Sequence, residues 1–424
     1  MVLNRIRAAR TISRIELAAE SGVTPATITQ VVRELMDHGL VIEVGRGAST
    51  GGKPRTLLQL NPRARYAVGV LFERNTCVVV LVDLTGRPVA RTSFPGTALL
   101  PPGQGLALVA SRVNALLDTA GVDRGKVLGV GLATYGPQDR RAGVLLTHQP
   151  TAEWFGYPVA PRLSEILGLP VLLDNDAAAA AIGEYWLGAV DTPAFGCVYM
   201  ASGIGGGVVV DGELYRGSSS NGVEIGHITV DLDGGPCDCG NYGCLGNYAD
   251  PTAVIKQALE ASSLGRRLGL DPGDTDVMAA FGRIATAAQA GDPAARTLIE
   301  RSARHLGTAA VTMTSLFDLD TIVLAGPSLA AAAPIYQSVV QEEVRRRTFA
   351  RRAHPVRVVT SVSGSDAAAI GGAVLVLQGE LTLLELASTT SPRESAGKHA
   401  EQAGHRRQPA GFQPSPPARY FWGV

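Results

Sequence analysis

The densest group of chemistry-bearing side chains lies between residues 224 and 244. Glu224-Ile225-Gly226-His227 is followed by Cys237-Asp238-Cys239 and, after four more residues, by Cys244. One imidazole and three thiols make a closed four-ligand set suited to tetrahedral Zn2+, with no open position for substrate. The expected ligands are His227, Cys237, Cys239 and Cys244, and the expected cofactor is structural Zn2+. Such an ion would rigidify residues 231–247, which are rich in glycine and have little apolar content. The alternative is a set of free thiols. Cys77 and Cys197 sit in apolar runs and read as buried thiols. Five cysteines in 424 residues do not make a disulfide framework.

A second constellation is Leu173-Asp174-Asn175-Asp176, placed between an apolar strand pattern at 170–173 and an alanine-rich helical stretch at 177–187. Polar groups at the carboxyl end of a strand, where a helix opens, sit where α/β proteins bind ligands. Asn175 and Asp176 offer donors and acceptors matched to sugar hydroxyls. The competing use is helix capping by one of them. A third is the run Ser202-Gly203-Ile204-Gly205-Gly206-Gly207, whose bare backbone could approach a phosphate or simply form a tight turn.

The elements that must hold these groups divide the chain. In the first sixty residues, Ser13-Arg14-Ile15-Glu16 is a capping box that opens a short helix. Gly22 supplies a left-handed turn, Thr24 an N-cap and Pro25 a first helical residue. The second helix, expected over 25–38, turns Ile28, Val31, Val32 and Leu35 inward. Its other face carries Thr27, Thr29, Gln30 and Arg33, which suit a helix lying in the major groove. Two strands follow, around residues 40–44 and 55–60, joined by a glycine-rich wing that bears Arg46 and Lys53. The expected DNA-binding residues are Thr24, Thr27, Thr29, Gln30, Arg33, Arg46, Lys53 and Arg55. The reading is a winged helix-turn-helix over residues 1–62; the competing one is a helical protein-interaction module.

From residue 63 the pattern turns to strands interleaved with helices. Residues 67–71, 77–84 and 127–133 read as strands, with a helix at 105–120, and the second and third of these runs could form a hairpin. The pattern recurs with strands at 195–201, 207–210 and 321–325 around a helical region at 252–317. Mixed sheets covered on both faces, and a duplicated two-lobed α/β fold with a cleft, are expected. The body spans 63–380, with its metal loop near 227–244. Residues 381–424 should be a disordered tail, rich in Pro, Ser, Gln and Gly.

The formal net charge of zero hides an asymmetry. Residues 1–65 carry ten Lys/Arg against five Asp/Glu, residues 66–389 have net charge −8, and residues 390–424 are +3. A basic head on an acidic body fits DNA contact through the head alone. The N-terminus lacks the apolar core of a signal peptide, and no stretch is long enough to span a membrane. A cytoplasmic protein without membrane contact is expected.

Together these residues resemble the ROK family (repressor, open reading frame, kinase), over about residues 12–378. The resemblance rests on the His227/Cys237/Cys239/Cys244 set, Asn175-Asp176, the glycine hairpin, Glu224 to His227, and a head like that of the family's repressors. It implies a sugar-kinase/actin-like body, and sugar contacts from Gly136, Asn175, Asp176, Glu224 and His227. Family kinases open their first hairpin with Asp-x-Gly-Gly-Thr, to hold Mg2+-bound water and ATP phosphates. Here the matching stretch is Leu71-Phe72-Glu73-Arg74-Asn75. Leu71 offers no oxygen to a metal, Glu73 adds negative charge, and both glycines are gone. Three further sugar contacts are altered, at Ala178, Gly246 and Thr151. The expected function is a DNA-binding transcriptional regulator, a repressor, that responds to a sugar or sugar derivative. Its partners are operator DNA, the effector and a second copy in a homodimer or homotetramer, and it is not an enzyme. The rival readings are a sugar kinase carrying a DNA-binding head, and a constitutive DNA-binding protein with a ligand-free oligomerisation body.

Overall fold

A computed structural model describes residues 2–46, 55–96, 100–148, 151–188, 190, 192–273 and 276–389. The head comprises α1 (Val2–Ala9), β1 (Ile12–Ser13), α2 (Arg14–Ser21), α3 (Pro25–Asp37), β2 (Val41–Arg46) and β3 (Thr56–Leu60). The local signals set these boundaries. Ser13 and Glu16 form the reciprocal capping box, Gly22 ends α2 at φ +68°, and the Thr24 hydroxyl caps α3. Ile28, Val32 and Leu35 are buried and Val31 is half-buried. β2 and β3 pair as an antiparallel hairpin, with β1 on the far side of β3.

The first lobe contains β4 (Tyr66–Phe72), β5 (Thr76–Asp83), β6 (Pro88–Pro95), α4 (Pro102–Ala120), β7 (Val127–Thr134), β8 (Gln138–Asp139), β9 (Val144–Leu145), α5 (Val159–Leu167), β10 (Val171–Asn175) and α6 (Asp176–Trp186). The second contains β11 (Ala194–Met200), β12 (Ile204–Val210), β13 (Glu213–Leu214), α7 (Gly246–Ala249), α8 (Pro251–Glu260), α9 (Ser262–Arg267), α10 (Val277–Gln289), α11 (Pro293–Phe317), β14 (Thr321–Ala325), α12 (Pro327–Ala331), α13 (Ala333–Arg347) and β15 (Arg357–Thr360). α14 (Ala367–Thr389) closes the body.

The lobes repeat one topology. Their sheets run β6-β5-β4-β7-β10 and β13-β12-β11-β14-β15: an antiparallel meander extended by two parallel strands. The hairpin expected between 77–84 and 127–133 does not form. β5 pairs with β4 and β6, whereas β7 lies parallel to β4, with Leu71 opposite Ala133. The crossover through α4 dictates this, because a strand reached through a helix returns parallel. β6 went unread because its outward face is polar and exposed. The expected boundary at residue 380 falls inside α14, which is continuous to Thr389; residues 390–424 of the expected tail lie outside the described residues.

α6 and α14 pack against each other and against both sheets through glycine and alanine. A Cβ added at Gly371 would strike the Ala179 carbonyl of α6. One at Gly131 in β7 would strike the Gly372 carbonyl of α14, and one at Gly69 in β4 the Ala369 carbonyl. Backbone therefore meets backbone, with no side chain available to yield. Gly371→Val should cost at least the ~1–3 kcal/mol typical of overpacking. The check is a thermal melt of the purified variant, which is expected to show a midpoint well below wild type or no folded protein.

Candidate functional site

On the head, packing of Ile28, Val32 and Leu35 leaves Thr27, Thr29, Gln30 and Arg33 exposed along one side of α3. The Thr24 and Thr27 hydroxyls lie 2.9 Å apart, Thr29 donates to the Pro25 carbonyl, and Gln30 donates to Glu34. Arg33 makes no ion pair among the described residues. Arg46 is exposed at the end of β2, and Arg55 sits 3.6 Å from Glu16. Lys53 lies outside the described residues.

The head is not tethered by a free linker. α1, which the sequence reading did not anticipate, packs Val2, Leu3 and Ile6 into a core continuous with Trp186 and the body. Its Arg7 is buried, and its guanidinium lies 4.5 Å from the Trp186 ring centroid and 5.0 Å from that of Tyr185. It also donates to the Trp186 carbonyl at the carboxyl end of α6, where the helix dipole favours a cation. The signal was present: Val2, Leu3 and Ile6 share one face of a helix.

The other end of α6 opens into the cleft. Asn175 caps it, its side-chain oxygen accepting from the Ala177 and Ala178 amides, so the capping use is realised and only its amide nitrogen stays available. Asp176 is 6% exposed and accepts from the Ala177 amide. Burial raises its carboxyl to about 6. Glu224, brought in from the second lobe, is raised to about 7, by burial and then by the negative charge of Asp176. Glu73, in the turn after β4, is buried and raised to about 8 for the same two reasons. Tyr135 faces this group and is raised to about 12, by burial and then by Glu73. Gly136, beside it, holds φ +79°.

A second carboxylate organises the mouth of the cleft. Asp174, fully buried, receives Arg140 of the first lobe at 3.0 Å and Arg216 of the second at 2.8 Å. Asn221 accepts from the Gln138 amide and donates to its carbonyl, which joins the lobes again. Sequence reasoning took Asp174 as part of a ligand motif, whereas it serves as an inter-lobe anchor. From the sequence Glu73 reads as a negative charge where phosphates would sit, not as a buried group, and Tyr135 is given no role. Neither carries a local signal of depth, because its burial depends on residues distant in the chain.

The glycine run is explained by packing. Added Cβ atoms at Gly205 and Gly207 would lie 2.8 Å from the Ala177 side chain and 2.6 Å from that of Ala181, so β12 can approach α6 only with glycine there.

His227, Cys237, Cys239 and Cys244 converge, their ligand atoms all within 4.8 Å of one another. Cys239 Sγ and Cys244 Sγ are 3.7 Å apart, and Cys237 Sγ and His227 Nδ1 are 3.6 Å apart. A tetrahedron with metal–sulfur bonds of about 2.3 Å has edges of about 3.75 Å, so the set can hold a metal ion. It stands on a loop with short bridges Thr229–Cys244 and Pro236–Tyr242 and little other regular structure. Binding through Nδ1 leaves His227 Nε2 as the nitrogen that could meet a sugar.

Residues 74–379 match the model of the ROK family. The chain belongs to the ROK family. It is 26% identical over 396 residues to a xylose repressor of Caldicellulosiruptor bescii, covering 91% of this chain and 97% of the relative. It is 29% identical over 319 residues to the DNA-binding transcriptional dual regulator NagC of Escherichia coli K12, covering 74% of this chain and 76% of NagC. Among solved structures, a ROK family transcriptional regulator homologous to the E. coli MLC protein aligns with TM-score 0.70 and 25% identity, over 92% of this chain and 99% of that one. A ROK glucokinase from Streptomyces griseus, solved with glucose and AMPPNP, aligns with TM-score 0.63 and 28% identity, over 74% of this chain and 100% of its own. The ROK body is thus common to repressors and kinases. No described helix is long and apolar enough to cross a membrane.

Two outcomes follow. Elemental analysis of the purified protein should find about one metal ion per chain, lost in a Cys239→Ser/Cys244→Ser variant together with several degrees of melting temperature. The second concerns Glu73, whose folded carboxyl titrates above its usual 4.5. The folded chain then holds a proton that the unfolded chain releases, and stability falls as pH rises from about 4.5 to about 8. Glu73→Gln removes this loss, on the order of a few kcal/mol at most. Melts at pH 5, 6, 7 and 8 should show the variant gaining on wild type as pH rises.

Proposed function

We propose that this ROK protein is a DNA-binding transcriptional repressor, with residues 1–62 as its DNA-binding head. In this reading a sugar or sugar derivative binds the cleft and alters operator affinity, without being phosphorylated. The observation that carries the reading is α6. Its amino end presents Asn175 and Asp176 to the cleft, and its carboxyl end grips Arg7 of the head. A ligand that shifts α6 between two arrangements would bias the head through a rigid helix of eleven residues.

The repressor names of the relatives support the DNA-binding half, together with the exposed face of α3. Thr27, Thr29, Gln30 and Arg33 would enter the major groove, with Thr24 fixing the helix start and Arg46, Lys53 and Arg55 serving the wing. Paired half-sites favour a dimer or a dimer of dimers. Gly136, Asn175, Asp176, Glu224 and His227 would line the sugar, with Asp176 as an acceptor rather than a base. The metal of the four-ligand site would be structural zinc. Against phosphoryl transfer stands the first hairpin: Leu71 is buried in the sheet core, where it gives no oxygen to a metal, and Glu73 puts negative charge where phosphate charge must be neutralised.

The test is selection of genomic DNA fragments by the full-length protein, then gel-shift titration of the best fragment with and without a panel of sugars. Arg33→Ala should weaken the selected fragment by about tenfold, the loss of one to two good contacts. Arg7→Ala should keep both DNA and ligand binding but lose the shift that ligand causes in wild type. Unchanged selectivity in Arg33→Ala and Gln30→Ala would overturn the recognition-helix assignment, and sugar-dependent ATP turnover would restore the kinase.

A further inference from the structure

The sugar-effector reading leaves the cleft with an electrostatic imbalance. Phe72, Thr134 and Asn175 lie in register at the carboxyl ends of β4, β7 and β10, so Glu73, Tyr135 and Asp176, the next residues, leave the sheet side by side, and Glu224 of the second lobe is within the electrostatic reach of Asp176. The two arginines at the mouth, Arg140 and Arg216, are both committed to Asp174. None of the three cleft carboxylates makes an ion pair among the described residues. Glu73 is 7% exposed, and its carboxylate accepts no hydrogen bond among them. Two phenol hydroxyls, those of Tyr135 and Tyr199, are also buried without a partner, and both lie within the electrostatic reach of Glu73 and Asp176.

Buried carboxylates are retained where something pairs with them. A divalent cation does not fit, because the ligand atoms are too dispersed. Among the described residues only the His227/Cys237/Cys239/Cys244 set brings three or more such atoms within 4.8 Å of one another. A neutral sugar can donate hydroxyl hydrogens but gives the ionised Asp176 no counter-ion, and only a cation would draw the retained proton from Glu73. A molecule of sugar size that carries a positive charge meets both demands. Resting on the sugar-binding reading, we propose that the effector is an amino sugar or a related polyhydroxylated amine, its ammonium group against Glu73 and Asp176. Its hydroxyls are then left to Asn175, Glu224 and the Tyr135 phenol. Glu73 thereby becomes the specificity-determining residue of a cleft that has exchanged a phosphate-binding turn for a cation-binding one. A hydrogen bond between charged groups is stronger than its neutral counterpart, so the ammonium should be worth at least about tenfold in affinity.

The experiment is calorimetric titration of the full-length, metal-loaded protein at pH 7 with D-glucosamine, D-galactosamine and D-mannosamine. Each is compared with its parent hexose and its N-acetyl derivative, which keep the ring but carry no charge. At least one amine should bind about tenfold or more tightly than both of its uncharged counterparts. Glu73→Gln, whose melting temperature should be no lower than wild type, should bring that ratio close to one. Equal or tighter binding of an uncharged counterpart overturns the inference and leaves the sugar-effector reading standing. An undiminished amine preference in Glu73→Gln overturns the assignment to Glu73. No binding by any of the nine sugars overturns both the inference and the reading on which it rests.

Discussion

Everything in the body depends on how closely α6 and α14 approach. Alanine and glycine line that contact, and at Gly371 and Gly131 the neighbouring atom is a main-chain carbonyl. Two helices with larger side chains would stand farther apart, and the two sheets would separate with them. The lobes would then lose the alignment that lets Arg216 and Asn221 of one reach Asp174 and Gln138 of the other. The close contact also explains why a run such as Asp176-Ala177-Ala178-Ala179-Ala180-Ala181 is not a weakly specified helix: its small residues are the packing surface.

α6 is consequently held at both ends and along its length. Asn175 caps it, and Glu184, fully buried, accepts hydrogen bonds from Ser361, Val362 and Ser363 of the second lobe. Gly205 and Gly207 let β12 lie against it, and Arg7 closes its carboxyl end. A rigid body held at so many points transmits displacement rather than absorbing it. The N-terminal head packs on the same core, which gives the basic N-terminus a defined position on an acidic body.

The turn after β4 shows how neighbours distant in the chain set the charge of a side chain. Glu73 lies in this turn, where burial and then the negative charge of Asp176 raise the cost of ionising it. The effect exists only because the first sheet sets the turn after β4 beside the start of α6, since on an isolated hairpin Glu73 would be solvated and ordinary.

Much of the head was legible in the sequence because its determinants are local. The Ser13/Glu16 capping box, Gly22, the Thr24 cap and the inward spacing of Ile28, Val32 and Leu35 act within one or two turns. The four-ligand set was legible for a similar reason: thiols and imidazole at close spacing have few other uses. Strand existence was legible from apolar runs, but partner choice was not. β7 joins β4 rather than β5 because the α4 crossover and the duplicated sheet impose it. The depth of Glu73, the two arginines on Asp174 and the seat of Arg7 on Trp186 join residues far apart in the chain. Residue type and spacing determined the elements, the caps and the His/Cys cluster, because those interactions close within a few residues. Only tertiary packing decided which charges lost their water and which helix joined the cleft to the head, because burial belongs to the assembled surfaces and not to any segment alone.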